Sequence, residues 1–278
     1  MSAPLPIGLV ASFAAMFGLL IGSFLNVVVY RVPAGLSVVR PASACPACQH
    51  PIRRRDNVPV LSWIVLRARC RDCGVRIPAR YPAVEAATGV LFALVVWSVL
   101  RARVVTDGDA AVNLTVTVAL LYLMAISVAL TLIDLDVHRL PNAITYPSAV
   151  VLVVLLVIAS ALGGDWGALS RGVLGAAGLG LFYLLLAVAV PGGMGLGDVK
   201  LAVILGLVLA YLGWGPLAVG AFGAFVVGGI FAVVLLITGR VRWRGGVPFG
   251  PAMLAGAWIG VFFGTPVWTA YTAVLGTA

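Results

Sequence analysis

Charge is what this sequence has least of. Only 10% of its 278 residues are charged, against about a quarter in an ordinary soluble domain, while 62% are hydrophobic and the mean hydropathy is +1.14. A single soluble domain of any class is excluded. The apolar runs are continuous and do not alternate, which excludes a water-filled β-barrel. No Lys or Arg precedes the first apolar run, so the basic flank of a cleavable signal peptide is missing. No strand precedes a Gly-rich turn, so the 33 glycines offer no phosphate-cradling fingerprint. Small residues at close spacing, as in 172–180 and 219–229, are instead read as helix-packing surfaces. No internal repeat of fixed period is present.

What remains is a chain built for lipid. Apolar runs cover about residues 6–30, 82–100, 114–133, 144–162, 168–190, 201–214, 217–237 and 253–275. At roughly 20 residues per crossing, eight transmembrane helices are expected, the short sixth run beginning near Asp198 or Val199. The formal net charge of +9 then reads as an orientation before it reads as a polyanion partner. An uncharged N-terminus followed by Arg31 places the N-terminus outside and the loop after the first helix in the cytoplasm. That loop, 31–81, holds ten Arg against two Asp. With Arg139, Lys200, Arg240, Arg242 and Arg244, fifteen of the eighteen cations fall on the cytoplasmic side, leaving Arg101, Arg103 and Arg171 outside. A helix count wrong by one would destroy that asymmetry.

All four cysteines lie in the long loop, as Cys45-Pro-Ala-Cys48 and Cys70-Arg-Asp-Cys73. Paired CxxC knuckles at this separation are a zinc-ribbon signature. Four thiolates suit tetrahedral Zn2+ and leave no open position, so the metal is expected to be structural and to fold a loop poor in apolar residues. Two disulfides are the rival reading; they belong to oxidising compartments, which the charge balance disfavours. A redox CxxC lacks its βαβ setting.

Nine acids make each position informative. Asp107, Asp109 and Asp165 fall in outside loops and Asp56 and Asp72 in the cysteine loop, where they are expected to be solvated; Glu85 lies just inside the second helix. Asp134 and Asp136 end the third helix, and Asp198 sits in Gly195-Leu196-Gly197-Asp198. Ionisable groups at membrane depth are functional candidates by default. Two carboxylates sharing a proton can supply a general base and a general acid to a water, the chemistry of aspartic proteolysis. The plainer alternative pairs these acids with Arg139 and Lys200 as interfacial charges, and a carboxylate-coupled membrane transporter is the rival function.

The ordered motifs resemble the bacterial type IV prepilin peptidases, or type IV leader peptidases, over nearly the whole chain. They comprise Gly22-Ser23-Phe24-Leu25-Asn26 through Tyr30-Arg31, both CxxC knuckles, Asn57-Val58-Pro59-Val60-Leu61-Ser62-Trp63, Arg80-Tyr81-Pro82 with Glu85, Asp134 to Pro141, Gly195 to Asp198, and Pro248-Phe249-Gly250-Pro251. The resemblance implies an integral aspartic protease of the inner membrane that cuts the basic leader of prepilins or pseudopilins after a Gly, on the cytoplasmic side. It implies Asp198 and Asp134 as catalytic, Asp134 rather than Asp136 because the family's first Asp lies seven residues before the Pro of its motif. Members with the cysteine loop typically also N-methylate the new N-terminal residue from S-adenosylmethionine. The methyl-donor residues are not assigned by any motif, the loop and Glu85 being the only candidates. Asn142 departs from the Asp of many members, and Arg53-Arg54-Arg55 is unusually basic.

The expectation is thus an all-α polytopic membrane protein with a zinc-ribbon-like cytoplasmic loop. It divides into a first transmembrane helix (1–30), the zinc-binding loop of four cysteines (31–81) and a seven-helix aspartic peptidase core (82–278). Its expected partners are prepilins and membrane lipid, with nucleic acid disfavoured, and its links are to type IV pili or type II secretion.

Overall fold

The computed structural model describes residues 6–102, 109–189, 194–238 and 248–276. Arg103, Arg240, Arg242 and Arg244, which enter the charge balance, and the outside-loop Asp107 lie outside the described residues. The described chain is helical: α1 (Ile7–Arg31), a one-turn α2 (Leu61–Val65), α3 (Arg80–Ala102), α4 (Ala110–Val137), α5 (Asn142–Gly163), α6 (Trp166–Ala189), α7 (Leu196–Leu212), α8 (Trp214–Ile237) and α9 (Gly250–Val274). A single 3-10 turn, Arg54–Asp56, precedes α2. Seven of these helices are long and apolar enough to cross a membrane, so the protein is a multi-pass membrane protein. The eighth expected span, α7, has 17 residues, about 26 Å at 1.5 Å per residue.

Most boundaries move outward from the apolar runs because polar residues cap or extend the helices. Asp109 Oδ1 accepts the Ala111 N–H at 3.1 Å and Asp165 Oδ1 the Ala168 N–H at 2.8 Å. Both acids, expected to be merely solvated, are helix N-caps. Helix α7 begins at Leu196, earlier than expected, with Asp198 inside its first turn; Gly213, at φ +151°, ends it, and Trp214 belongs to α8. Helix α4 carries both of its aspartates in its last turn and stops where His138 turns left-handed.

The chain divides into two compact units, one comprising Met1–Val104 with Leu120–Leu132, the other Val105–Ala119 with Ile133–Ala278. In the first, α1 packs on α3 through small residues: a side chain at Gly18 or Gly22 would lie 2.8 Å from the backbone of Gly89 or Glu85. In the second, α6 packs on α7 and α8 on α9 in the same way, with Gly172, Gly175 and Gly206 on one contact and Gly220, Gly256 and Gly260 on the other. Without a hydrophobic driving force between helices in lipid, such close approach supplies the dispersion energy.

Helix α7 is the centre of the second unit. Its residues Leu201, Ala202 and Ile204 to Tyr211 are buried on every face, against α5, α6, α8 and α9. A helix so enclosed does not need the length of a lipid-facing span. Its C-terminal carbonyls are met by Arg171 of α6, whose Nε donates to Ala210 O and whose Nη2 donates to Tyr211 O, both at 2.7 Å. Replacing Arg171 by Met is expected to cost about 2 kcal/mol, two charge-assisted hydrogen bonds at a helix end, read as a lowered unfolding midpoint in detergent.

Candidate functional site

The second unit brings the two acidic motifs together. Asp134 is buried in the last turn of α4, and its Oδ2 accepts the backbone N–H of Gly250 at 3.2 Å. Gly250 is the first residue of α9, in Pro248-Phe249-Gly250-Pro251, and a side chain there would stand 2.6 Å from the same oxygen. A side chain at this glycine would therefore push the Asp134 carboxylate out of the position its N–H holds. Asp136, two residues on, is exposed.

Asp198 is the third residue of α7. Its Oδ2 accepts the Gly195 N–H at 3.1 Å and its own N–H donates to Gly195 O at 3.0 Å, the reaching-back half of a capping box. The helix N-terminus favours a carboxylate there. Asp198 and Asp134 lie within electrostatic range of each other. Leu140 fills the space between their supports: its Cβ is 3.1 Å from where a side chain on Gly197 would begin, and its Cδ2 is 3.6 Å from the equivalent point on Gly250. A side chain at Gly197 would therefore fit only if Leu140 gave way by a few tenths of an ångström. Among the described residues, a side chain at Gly195 would meet nothing closer than the Asp198 carboxylate itself, at 3.6 Å.

Three features around this pair were not legible in the motifs. Tyr183 of α6 is buried within electrostatic range of Asp198, and its ring centroid lies 6.2 Å from that of Phe249, next to the Gly250 that holds Asp134. Phe225 of α8 completes the cluster, 5.8 Å from Tyr183 and 5.5 Å from Phe249. Lys200 Nζ donates to Asn142 Oδ1 at 2.9 Å and lies 5.0 Å over the Tyr146 ring. It is thus held by a neutral amide and a π-face, an arrangement that the unusual Asn142 makes possible. Among the described residues neither Asp134 nor Asp198 forms a salt bridge with Lys200 or Arg139, against the interfacial-charge reading.

The first unit carries the cysteine cluster. The knuckles repeat one backbone pattern: Cys45 N–H donates to His50 O and Gln49 N–H to Cys45 O; Cys70 N–H donates to Val75 O and Gly74 N–H to Cys70 O. Gln49 and Gly74 occupy matching left-handed positions, φ +60° and +71°. The four Sγ atoms lie within 4.8 Å of one another, Cys45 and Cys73 at 3.8 Å, and all four thiols are free. This group could hold a metal ion. Backbone N–H groups of Cys48 and Ala47 bring the Cys45 thiol down to about 6, while burial and the neighbouring sulfurs push the Cys48 and Cys73 thiols up.

Hydrogen bonds within the loop and to α3 complete it. Asp56, held well below the usual carboxylate range by the Arg71 guanidinium, pairs with it at 2.6 Å, and Asp72 pairs with Arg53 at 2.8 Å. Trp63 Nε1 donates to Ile77 O. Glu85 Oε2 accepts the Val60 N–H at 2.7 Å, fixing a β-branched residue at φ +59°. The strain of that backbone makes the Glu85 contact a clamp between loop and α3. Between α1 and the loop lies a half-open cavity of about 270 Å³, whose polar side chains are Ser23, Arg31, Ser43 and Asn57.

A polytopic helical membrane protein with two neighbouring aspartates in one unit and a four-cysteine loop in the other defines the class. Residues 120–233 match the model of the Type IV leader peptidase family, and residues 16–99 that of the Bacterial Peptidase A24 N-terminal domain. Among similar proteins, each named "Prepilin leader peptidase/N-methyltransferase", that of Neisseria gonorrhoeae is 35% identical over 286 residues, covering 92% of each chain. That of Burkholderia pseudomallei is 36% identical over 299 residues, 95% of this chain and 89% of the relative, and that of Aeromonas salmonicida 34% over 294 residues, 95% and 94%. No solved structure matches. The chain belongs to the type IV leader peptidase family.

Proposed function

We propose that this protein cleaves the basic leader of type IV prepilins or pseudopilins after its terminal Gly and methylates the new N-terminal amine. The observation that carries the reading is the pairing of Asp134 and Asp198 in one unit, each carboxylate held by a backbone N–H and neither neutralised by a basic side chain among the described residues. One carboxylate, ionised, takes a proton from water as its oxygen attacks the Gly carbonyl carbon; the other, protonated, gives its proton to the departing amine as the C–N bond breaks. S-adenosylmethionine, when bound, would supply the methyl group for the freed, deprotonated amine, the displaced sulfonium departing as S-adenosylhomocysteine. The relatives' names support both steps, and nothing supports a carboxylate-coupled transporter.

The cysteine loop suits Zn2+. Tetrahedral Zn–S bonds of about 2.3 Å set sulfur–sulfur edges near 3.8 Å, the Cys45–Cys73 separation. With four ligands the ion is structural, tying Cys45, Cys48, Cys70 and Cys73 into one fold. The arginine asymmetry supports a cytoplasmic loop, an outside N-terminus and an active site at the inner face of the cytoplasmic membrane. The working division is a first transmembrane helix (1–30), the metal loop (31–81) and a peptidase core (82–278).

A prepilin in membrane vesicles should lose its leader on addition of the enzyme, and the same prepilin with Val for the last leader Gly should not. Cleavage at any other bond contradicts the reading. Asp136→Asn is expected to retain most of the rate, since Asp136 is exposed while Asp134 is not; a loss equal to that of Asp134→Asn would move the role to Asp136. Gly250→Ala, which drives a methyl group into Asp134 Oδ2, is expected to cut kcat on the order of 100-fold, the scale of a catalytic group displaced by an ångström.

A further inference from the structure

The one-turn helix α2 presents two faces of opposite use. Its inward face serves the loop: Ser62 Oγ accepts the Val58 N–H and donates to Arg55 O, while Trp63 Nε1 reaches Ile77 O. Its outward face is Leu61, Ile64 and Val65, at the i, i+3, i+4 spacing of one helical surface, and these are 60%, 58% and 73% exposed. Three adjoining large apolar side chains left in water on so short a helix are not explained by the loop's own packing.

Charge surrounds this patch. Arg67 and Arg69 follow it directly and Arg54 and Arg55 stand in the 3-10 turn packed beside it, all four exposed. The loop's two aspartates are already taken by Arg53 and Arg71, and among the described residues none of these four arginines has a carboxylate partner. The loop is also tethered at both ends to membrane-spanning helices, since α1 ends at Arg31 and α3 begins at Arg80. An apolar knob beside unpaired arginines, tied at its base by the Val60 N–H to Glu85 near the start of the α3 span, matches an anionic lipid surface in shape and charge.

We propose that α2 is a membrane-docking element: Leu61, Ile64 and Val65 seat in the acyl–headgroup boundary, and Arg54, Arg55, Arg67 and Arg69 hold anionic headgroups. The loop then rides on the leaflet as a plate fixed at three points, α1, α3 and α2. The proposal rests on the membrane spans and stands whether or not the catalytic reading does.

The test uses the full zinc-loaded chain in nanodiscs, with Val65→p-benzoylphenylalanine as a photocrosslinker and Trp63→p-benzoylphenylalanine, an aromatic for an aromatic, as the inward-facing control. Illumination in phosphatidylglycerol discs should give a lipid adduct by mass at position 65 and none at 63. The yield should fall about fivefold or more in phosphatidylcholine discs, and likewise when Arg67→Gln and Arg69→Gln are combined. Prepilin cleavage measured on the same samples reports separately on the aspartates. Crosslinks from position 65 to the protein's own helices, or to nothing, would overturn the docking. Lipid adducts of equal yield in both discs and in the double Gln variant would overturn the part given to the arginines.

Discussion

Asparagine at position 198 or at position 134 is expected to give a protein that inserts and folds normally and cleaves prepilin at least about 1,000-fold more slowly, the combined loss of positioned acid and base. The substitution is close to isosteric and keeps the supporting contacts. An amide oxygen at 134 can still accept the Gly250 N–H, and one at 198 the Gly195 N–H, so the last turn of α4 and the first turn of α7 retain their geometry. What disappears is the ability to take or give a proton. Because the two groups act on one water, the double variant should be scarcely worse than either single one. Processing by Asp198→Asn at a rate within about tenfold of the unaltered enzyme would remove general acid–base catalysis from that residue.

Serine in place of Cys45 and Cys48 together is expected to empty the metal site and unfold the loop while leaving the membrane helices in place. The loop has little core of its own: among its described residues only Cys45 and Pro59 are buried, and most of its apolar side chains are exposed. Besides the exposed Arg53–Asp72 pair and the Arg71–Asp56 pair, what joins the two knuckles is the cluster their sulfurs form, and structural zinc contributes on the order of 10 kcal/mol to such folds. Metal analysis should give about one zinc per chain before the change and close to none after it. Trypsin should then cut faster at the exposed arginines between residues 40 and 76, because an unfolded backbone fits a protease cleft and a folded loop does not. Unaltered protein that carries no metal and two disulfides would contradict both the site and the cytoplasmic placement of the loop.

Much of this architecture was readable because membranes constrain sequence so strongly. Continuous apolar runs and the arginine asymmetry indicated the spans, and the two CxxC pairs indicated a cluster without any knowledge of the loop's path. The carboxylate pair was readable as types in motifs, and the family resemblance, not the residues alone, preferred Asp134 to Asp136. Its surroundings were not. Tyr183 lies mid-run in an apolar helix and carries no local signal; it nears Asp198 only because α6 and α7 run antiparallel through Gly180 opposite Val203. Gly250 was visible in Pro-Phe-Gly-Pro, but its N–H bond to an oxygen 116 residues earlier is a tertiary fact. The start of α7, read near Asp198 or Val199, falls two residues earlier at Leu196, because at the third position the Asp198 carboxylate closes the helix end over Gly195. Asp109 and Asp165 were undervalued for the same reason.

The central claim is hydrolysis of one bond followed by methylation of the amine it frees. Purified enzyme incubated with a prepilin, with and without S-adenosylmethionine, and mass analysis of the product's N-terminus address both at once. The prediction is a mature chain beginning immediately after the leader Gly in each case, heavier by one methyl group only when the donor is present. An unprocessed substrate, or a cut at another bond, would contradict the account.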